Sequence, residues 1–274
     1  MGVHRGWRYQ EGPVPYFTIP AFEATGKVRH GFSTRLGGVS QGCFSSLNLG
    51  PTRGDDPQAV EENYRRLCGA IGVDWTQVVL SHQTHTDHIR LATREDAGKG
   101  LLRPRDYDDV DGLITVTPGL PLVTFFADCV PLIFLDPVRE VLCSVHSGWR
   151  GTVQRIGARA VERMTEEFGC RREDILAAVG PCIGPCHYQV DEDCADQFRK
   201  AFPETFSRIA RPEGEGKYRL DLPEANLQIF LENGLRPENI TMAGLCTYCD
   251  EQRFFSHRRM GDKRGNLAMV IQLG

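Results

Sequence analysis

The chain has 274 residues, 41% of them hydrophobic and 25% charged, and its 32 Lys and Arg against 36 Asp and Glu leave a formal net charge of −4. A chain of this size buries roughly three quarters of the surface its unfolded form exposes, so it needs neither a disulfide nor a metal to hold a core. The pI near 6.1 argues against nucleic acid or an anionic membrane as the main partner, and no apolar run approaches the roughly 18 residues of a membrane span.

The N-terminal Met1-Gly2-Val3-His4-Arg5-Gly6 lacks the apolar centre of a signal peptide and the sixth-position Ser or Thr of a myristoylation site, so a cytoplasmic protein is expected. Asp55-Asp56-Pro57 opens the first clear helix: a capping carboxylate precedes a proline in the first turn, and Val60, Tyr64, Leu67, Cys68 and Ile71 follow at helical spacing up to Gly72. Short β-type runs come next, at Gln77 to Leu80, Gly112 to Val116, Leu122 to Phe126, Pro131 to Leu135 and Val141 to Val145. A second helix is expected from about Arg150 to Phe168, with Val153, Ile156, Ala160, Val161, Met164 and Phe168 on one side and Gly169 as its stop. Strands at Ile175 to Val179 and Ile240 to Ala243 flank a third helix from about Pro223 to Asn233, whose Leu227, Phe230 and Leu231 face inward.

The links from Phe126 to Pro131 and from Leu135 to Val141 are too short for helical crossovers, so the sheets should be mixed and largely antiparallel. No glycine-rich phosphate fingerprint follows a strand, which argues against nicotinamide and P-loop chemistry. No repeat or linker divides the chain, which reads as a single domain over residues 1–274. No exposed apolar stripe demands a partner, so a monomer is expected.

Three segments carry chemical interest: Ser81-His82-Gln83-Thr84-His85-Thr86-Asp87-His88, Ala127-Asp128-Cys129-Val130-Pro131 and Val145-His146-Ser147-Gly148-Trp149-Arg150-Gly151. If the first continues its strand, period-two geometry puts Gln83 and His85 on one face and His82 and His88 on the other. His146 follows an apolar strand and precedes a glycine turn into a helix, a place where free backbone N–H groups favour anions, and Arg150 adds a bidentate donor there. One Cys and two His form an N/S donor set suited to zinc with a fourth position open. No local spacing ties His85, Cys129 and His146 together, since they stand 44 and then 17 residues apart.

Ten cysteines scattered along a long chain should be reduced. Two close pairs, Cys182 with Cys186 and Cys246 with Cys249, would make a four-thiolate zinc site if the fold joined them, but the reading as small core residues is preferred.

These motifs resemble the multicopper-polyphenol-oxidase-like family, first called laccase-domain proteins and now described as zinc-dependent purine nucleoside phosphorylases. The resemblance runs through Ser33-Thr34-Arg35-Leu36-Gly37-Gly38-Val39-Ser40, Ser46-Leu47-Asn48-Leu49-Gly50, Glu62-Asn63, Gln83-Thr84-His85, Asp111-Gly112, Ala127-Asp128-Cys129, His146 to Gly151, Gly180 to Pro185 and Phe254 to Arg259. It implies an α+β fold built as a four-layer αββα sandwich, and a Zn²⁺ held by His85, Cys129 and His146. The chain departs from the family near its end, where Arg264-Gly265-Asn266 stands in place of a Gly-Arg pair, and Arg264, Arg258 or Arg259 is the substitute.

The function this implies is phosphorolysis of adenosine, inosine or methylthioadenosine to base and pentose 1-phosphate, with deamination of adenosine as a second activity. Arg35 and Arg150 are the phosphate candidates, with the second helix's N-terminus beside them. Asn48 is the candidate for a polar contact to substrate, and Asp128 for orienting a ligand histidine. Two alternatives stand beside this one. Cys129 with His146 as base would make a metal-free hydrolase acting in peptidoglycan precursor editing. Copper at the same donors would make a polyphenol oxidase, which is ranked as adventitious because laccase chemistry takes several coppers.

Overall fold

The computed structural model describes residues 2–274, so Met1 of the N-terminal hexapeptide lies outside it. Seven strands form one sheet, in the order His4–Arg5, Ile240–Met242, Leu176–Val179, Val130–Asp136, Val141–Ser147, Gly112–Thr115 and Ile89–Leu91. Six form a second, in the order Arg8–Gln10, Tyr16–Thr18, Val28–Ser33, Leu267–Leu273, Leu122–Phe126 and Val79–Leu80. A three-stranded sheet of Gln189–Asp191, Lys217–Leu220 and Ala210–Gly214 stands apart. The sheets are mixed and mostly antiparallel, as the short links require. The Leu135 to Val141 link closes a hairpin between Val130–Asp136 and Val141–Ser147.

Alternation along the strands decides the packing. In Val130–Asp136, Val130, Leu132 and Phe134 join one core, while Ile133 and Leu135 join another. Likewise Leu267, Met269 and Ile271 enter that second core, and Ala268 and Val270 enter a third. The second core therefore fills the space between the two large sheets, and Thr124 and Ser144 hydrogen-bond across it at 2.8 Å. The helices Ile156–Phe168 and Leu222–Glu232 cover the outer face of the seven-stranded sheet, and Pro57–Ile71 covers the six-stranded one. Among the described residues, no helix is long and apolar enough to cross a membrane.

The Pro57–Ile71 helix forms as its sequence predicts: the Asp56 side chain accepts from Gln58 N–H at 3.0 Å, and Gly72 closes it in the left-handed conformation. Three expectations change. The second helix is broken into Trp149–Val153 and Ile156–Phe168, because Arg155 takes φ +62°. The third helix buries Ala225, Ile229 and Phe230 and leaves Leu227 and Leu231 at the margin, a face rotated from the expected one. Most consequentially, Phe126 to Val130 joins no hairpin. Leu122–Phe126 and Val130–Asp136 belong to different sheets, so residues 127–129 carry the chain from one sheet to the other.

His30 lies 4% exposed between sheet and helix, where its Nε2 accepts the Ile19 N–H at 2.7 Å. Burial without a counter-charge holds its imidazole down at about 4. The unfolded chain, with a histidine near 6.5, then binds the proton first as pH falls, so this site withdraws stability between pH 6.5 and 4. The full difference is worth up to roughly 3 kcal/mol. His30→Gln, which keeps an acceptor without a titratable ring, should flatten the pH dependence of the urea midpoint across that window; an unchanged slope would refute the assignment.

Candidate metal centre and its pocket

His85, Cys129 and His146 come from three places in the chain and meet at one end of the paired sheets. His146 sits on Val141–Ser147 with the parity of Leu142 and Ser144, which points it into the space between the sheets, with Phe126 at 5.8 Å between ring centroids. Cys129 stands at the crossing between the sheets, and His85 lies on the loop after Val79–Leu80. Their donor atoms lie within 4.8 Å of one another, and the two imidazole rings meet edge-on with centroids 5.0 Å apart.

A buried carboxylate organises this cluster. Asp111, fully shielded from solvent, contacts His146 Nδ1 at 2.7 Å and accepts from the backbone N–H groups of Thr84, His85 and Thr86 at 3.0, 3.1 and 2.9 Å. The first contact leaves His146 Nε2 free to face the pocket. The others hold the loop while His85 takes φ +69°, a left-handed conformation that costs a non-glycine residue about 1 kcal/mol or more. Burial alone would raise the Asp111 carboxyl, but the hydrogen bond and charge of His146 and the backbone donors carry it below the usual range.

Cys129 feels the same competition. Burial would raise the thiol, yet the His146 charge and hydrogen bonds from His146 and His85 outweigh it and bring it to about 6. Burial would lower His146, but the Cys129 thiolate and Asp111 outweigh it and lift the imidazole to about 9. The cluster thus favours a thiolate, the form that ligates metal. Two nitrogens and one sulfur with borderline-soft character suit a zinc ion with one position left over.

Asp128 plays a different part from the one expected. Its carboxylate accepts from Thr247 Oγ1 at 2.6 Å, Ser256 Oγ at 3.0 Å and the Arg258 backbone N–H at 2.6 Å, and it touches no ligand histidine. At φ +85° it pins the corner that presents Cys129. Asp111, a motif residue without an assigned role in the sequence reading, is the partner that orients a histidine. Its signals were its place ahead of an apolar strand and its membership of the Asp111-Gly112 motif.

The cluster opens into a cavity of about 250 Å³ lined by Ser81, Gln83, Phe125, Arg53, Arg105 and Arg264, among others. Arg53 Nε and Arg264 Nε are buried there without hydrogen-bond partners among the described residues. Burial first, then the neighbouring Arg53 charge, lowers Arg264 to about 10. A second cavity, on the other side of Cys129 and His85, is lined by Trp149, Tyr188, His257 and Arg258.

A family model described as multi-copper polyphenol oxidoreductase laccase matches residues 29–274. The chain belongs to this family. It is 38% identical over 249 residues to purine nucleoside phosphorylase YlmD of Bacillus subtilis, covering 89% of this chain and 88% of the relative. The human purine nucleoside phosphorylase LACC1 is 32% identical over 85% of this chain, which spans 52% of that longer protein. Among solved structures, the Bacillus licheniformis hypothetical protein YfiH superposes with a TM-score of 0.92 at 35% identity, covering 97% of this chain and 99% of that one. YlmD from Geobacillus stearothermophilus superposes with a TM-score of 0.90 at 34% identity, covering 97% and 98%.

Within this family fold, Asn48, Arg35 and Arg150, the expected phosphate and substrate contacts, line neither of these two cavities. Asn48 is fully buried and its amide is consumed by Asp55, Gly50 and the Asn266 N–H. Arg35 donates to the Ser45 carbonyl at 3.1 and 2.8 Å and to the Glu251 carbonyl at 3.2 Å, so it ties loops together away from the cavity. Arg150 is exposed and stacks over Trp149 at 4.5 Å. The five-residue Trp149–Val153 helix is too short for a strong N-terminal dipole. Gln83 is also occupied: its amide pairs with both backbone groups of Phe125 and clamps the histidine loop to the sheet. Arg53 and Arg105 carried no motif signal, because the pocket they line is assembled only by the fold.

Two substitutions probe the centre. Asp111→Asn leaves a carbonyl to accept but turns an NH₂ group toward donors, and should weaken metal affinity by about 10- to 100-fold in chelator competition. Gly148 backs onto the ligands so closely that an added Cβ would lie 2.8 Å from the His85 ring and 3.3 Å from Cys129 Sγ. Gly148→Ala should therefore also lower metal affinity while leaving the unfolding free energy from urea titration within about 1 kcal/mol of the parent. Parental affinity in both variants would refute this account of the centre.

Proposed function

We propose that this protein is a purine nucleoside phosphorylase whose zinc ion is held by His85, Cys129 and His146, with nucleoside and phosphate as its substrates. The observation that carries the proposal is one cavity whose lining includes both an N/N/S donor cluster and three arginines. The names of relatives such as YlmD support the same reaction class. The chain is read as one domain with the four-layer αββα arrangement, which the three stacked apolar cores support.

In phosphorolysis a phosphate oxygen bonds to the anomeric carbon as the glycosidic C–N bond breaks, and the electron pair leaves on the base nitrogen, which takes up a proton. The residues of this chain divide that work. Arg53, Arg105 and Arg264 line the wall where a phosphate would be held and its charge offset. Asp111 keeps the His146 ring in one tautomer and one orientation. Phe125 and Phe126 give an apolar surface for a purine. Zinc, when bound, supplies a Lewis acid for a nucleoside oxygen or nitrogen. Adenosine deamination belongs to the same proposal, since a zinc held by these three residues would supply the acidity that activates a water toward the ring carbon bearing the amine, which leaves as ammonia.

Zinc is preferred over a multicopper centre because the donor groups of the described residues take in only His85, His146 and His187 of the eight histidines. The Cys–His hydrolase reading rests on the same juxtaposition, which sets the Cys129 thiol and the His146 imidazole within 4.8 Å of each other.

Zinc-loaded and chelated protein should be incubated with adenosine and inosine, with and without phosphate, and the products separated by chromatography. Free base with ribose 1-phosphate is expected only where zinc and phosphate are both present, and His85→Ala should reduce turnover to background. Arg105→Ala should raise the phosphate KM about tenfold or more, equivalent to about 1.4 kcal/mol, with a smaller effect on the nucleoside KM. Full activity in metal-free protein would reject the zinc mechanism, and no turnover of either nucleoside, with Cys129 open to iodoacetamide whether or not zinc is present, would replace this reading with the hydrolase.

A further inference from the structure

A second group of soft ligands lies outside the pocket. Cys186 and His187 come from the turn after Gly184, and Cys246 and Cys249 from the loop after Ile240–Met242. All four donor atoms lie within 4.8 Å of one another. Cys186 Sγ stands 3.6 Å from both Cys246 Sγ and Cys249 Sγ, and Cys249 Sγ is 3.3 Å from His187 Nδ1. Those separations are far beyond a disulfide, whose sulfurs are about 2.05 Å apart. They match a tetrahedral zinc ion, around which sulfurs at about 2.3 Å would stand about 3.8 Å from one another and about 3.5 Å from a nitrogen ligand.

The surroundings are those of a ligand cluster as well. The Gly184 N–H donates to Cys246 Sγ at 3.2 Å, which favours the thiolate. The His187 ring is held by stacking on Tyr248, with centroids 4.1 Å apart and planes 17° apart. A Cβ on Gly184 would come within 3.2 Å of Cys186 Sγ, so the turn is shaped for close approach. Cys182, which sequence spacing grouped with these residues, is turned into the core at 2% exposure, and His187 takes the fourth place.

We infer that Cys186, His187, Cys246 and Cys249 form a second, closed metal site that takes zinc and staples two loops behind the pocket. Four protein ligands leave no open position, so the site is structural. Its loops reach the first centre through bonds already described: Thr247, beside Cys246, holds the Asp128 carboxylate, and Ile183 N–H donates to the Asp128 carbonyl at 2.9 Å. Asp128 in turn presents Cys129. The staple thus fixes the corner that delivers the pocket's thiolate and the wall formed by Tyr188.

Metal content and cobalt spectra of reduced, full-length protein test this. The parent should hold two zinc equivalents, and His85→Ala one. Cobalt-loaded His85→Ala should show the charge-transfer absorption of three thiolates, and a Cys186→Ser/Cys249→Ser variant that of the single thiolate of the pocket. Should that double variant fail to fold, iodoacetamide mapping of the parent decides: zinc should protect Cys186, Cys246 and Cys249 together. A His85→Ala protein that binds no metal, or three cysteines alkylated equally with and without zinc, would overturn the inference. A parent and a His85→Ala protein each holding one equivalent would uphold it and reject the pocket metal instead.

Discussion

A single buried carboxylate underlies the arrangement of this site. Asp111 lies in the space between two sheets, where an uncompensated charge would be costly, and five donors from two segments converge on it. Those donors set the tautomer of His146 and hold the backbone of His85 in a conformation it would otherwise leave. Burial, which weakens any isolated charge, here makes the charge an organiser, because every group that satisfies it is thereby positioned. Low dielectric strengthens those bonds in the same measure.

The second constraint is geometric. A strand of one sheet ends at Phe126 and a strand of the other begins at Val130, so the chain must turn through a gap about a sheet spacing wide, ~10 Å, in three residues. The strained corner at Asp128 is the solution, and its side chain is spent on Thr247, Ser256 and Arg258 to keep it. The thiol next to it therefore arrives in one place. The paired sheets supply the rigid frame: their facing side chains form a continuous apolar core, and the ligands occupy its polar end.

Charge then sets the character of the cavity. The donor cluster favours an anionic sulfur, and Arg53, Arg105 and Arg264 share the same lining, Arg53 and Arg264 each with a buried Nε lacking a partner among the described residues. Three guanidinium groups lining one cavity make its surroundings cationic. The stacked helices and outer cores are remote from this chemistry and serve to keep both walls in register.

What local sequence determined is what depends on neighbours along the chain. The cap and proline at Asp56-Pro57 start a helix, near-continuous apolar runs make Val130–Asp136 and Val141–Ser147 strands, and the motif residues His85, Cys129 and His146 mark the donor cluster through family resemblance. Short-range signals failed where the decisive partner is distant. Asp128 and Asp111 look alike in sequence, yet the first holds a corner and the second holds a histidine, because one meets Thr247 and Ser256 and the other meets His146. Asn48 and Arg35 read as substrate contacts until the fold consumes their hydrogen bonds internally, and Arg53, Arg105 and Arg264 come to line one cavity only when three separate loops close around it. Cys182 and His187 exchange places for the same reason: spacing says which residues are near in the chain, whereas the direction a side chain takes is set by the packing of the loop it sits on.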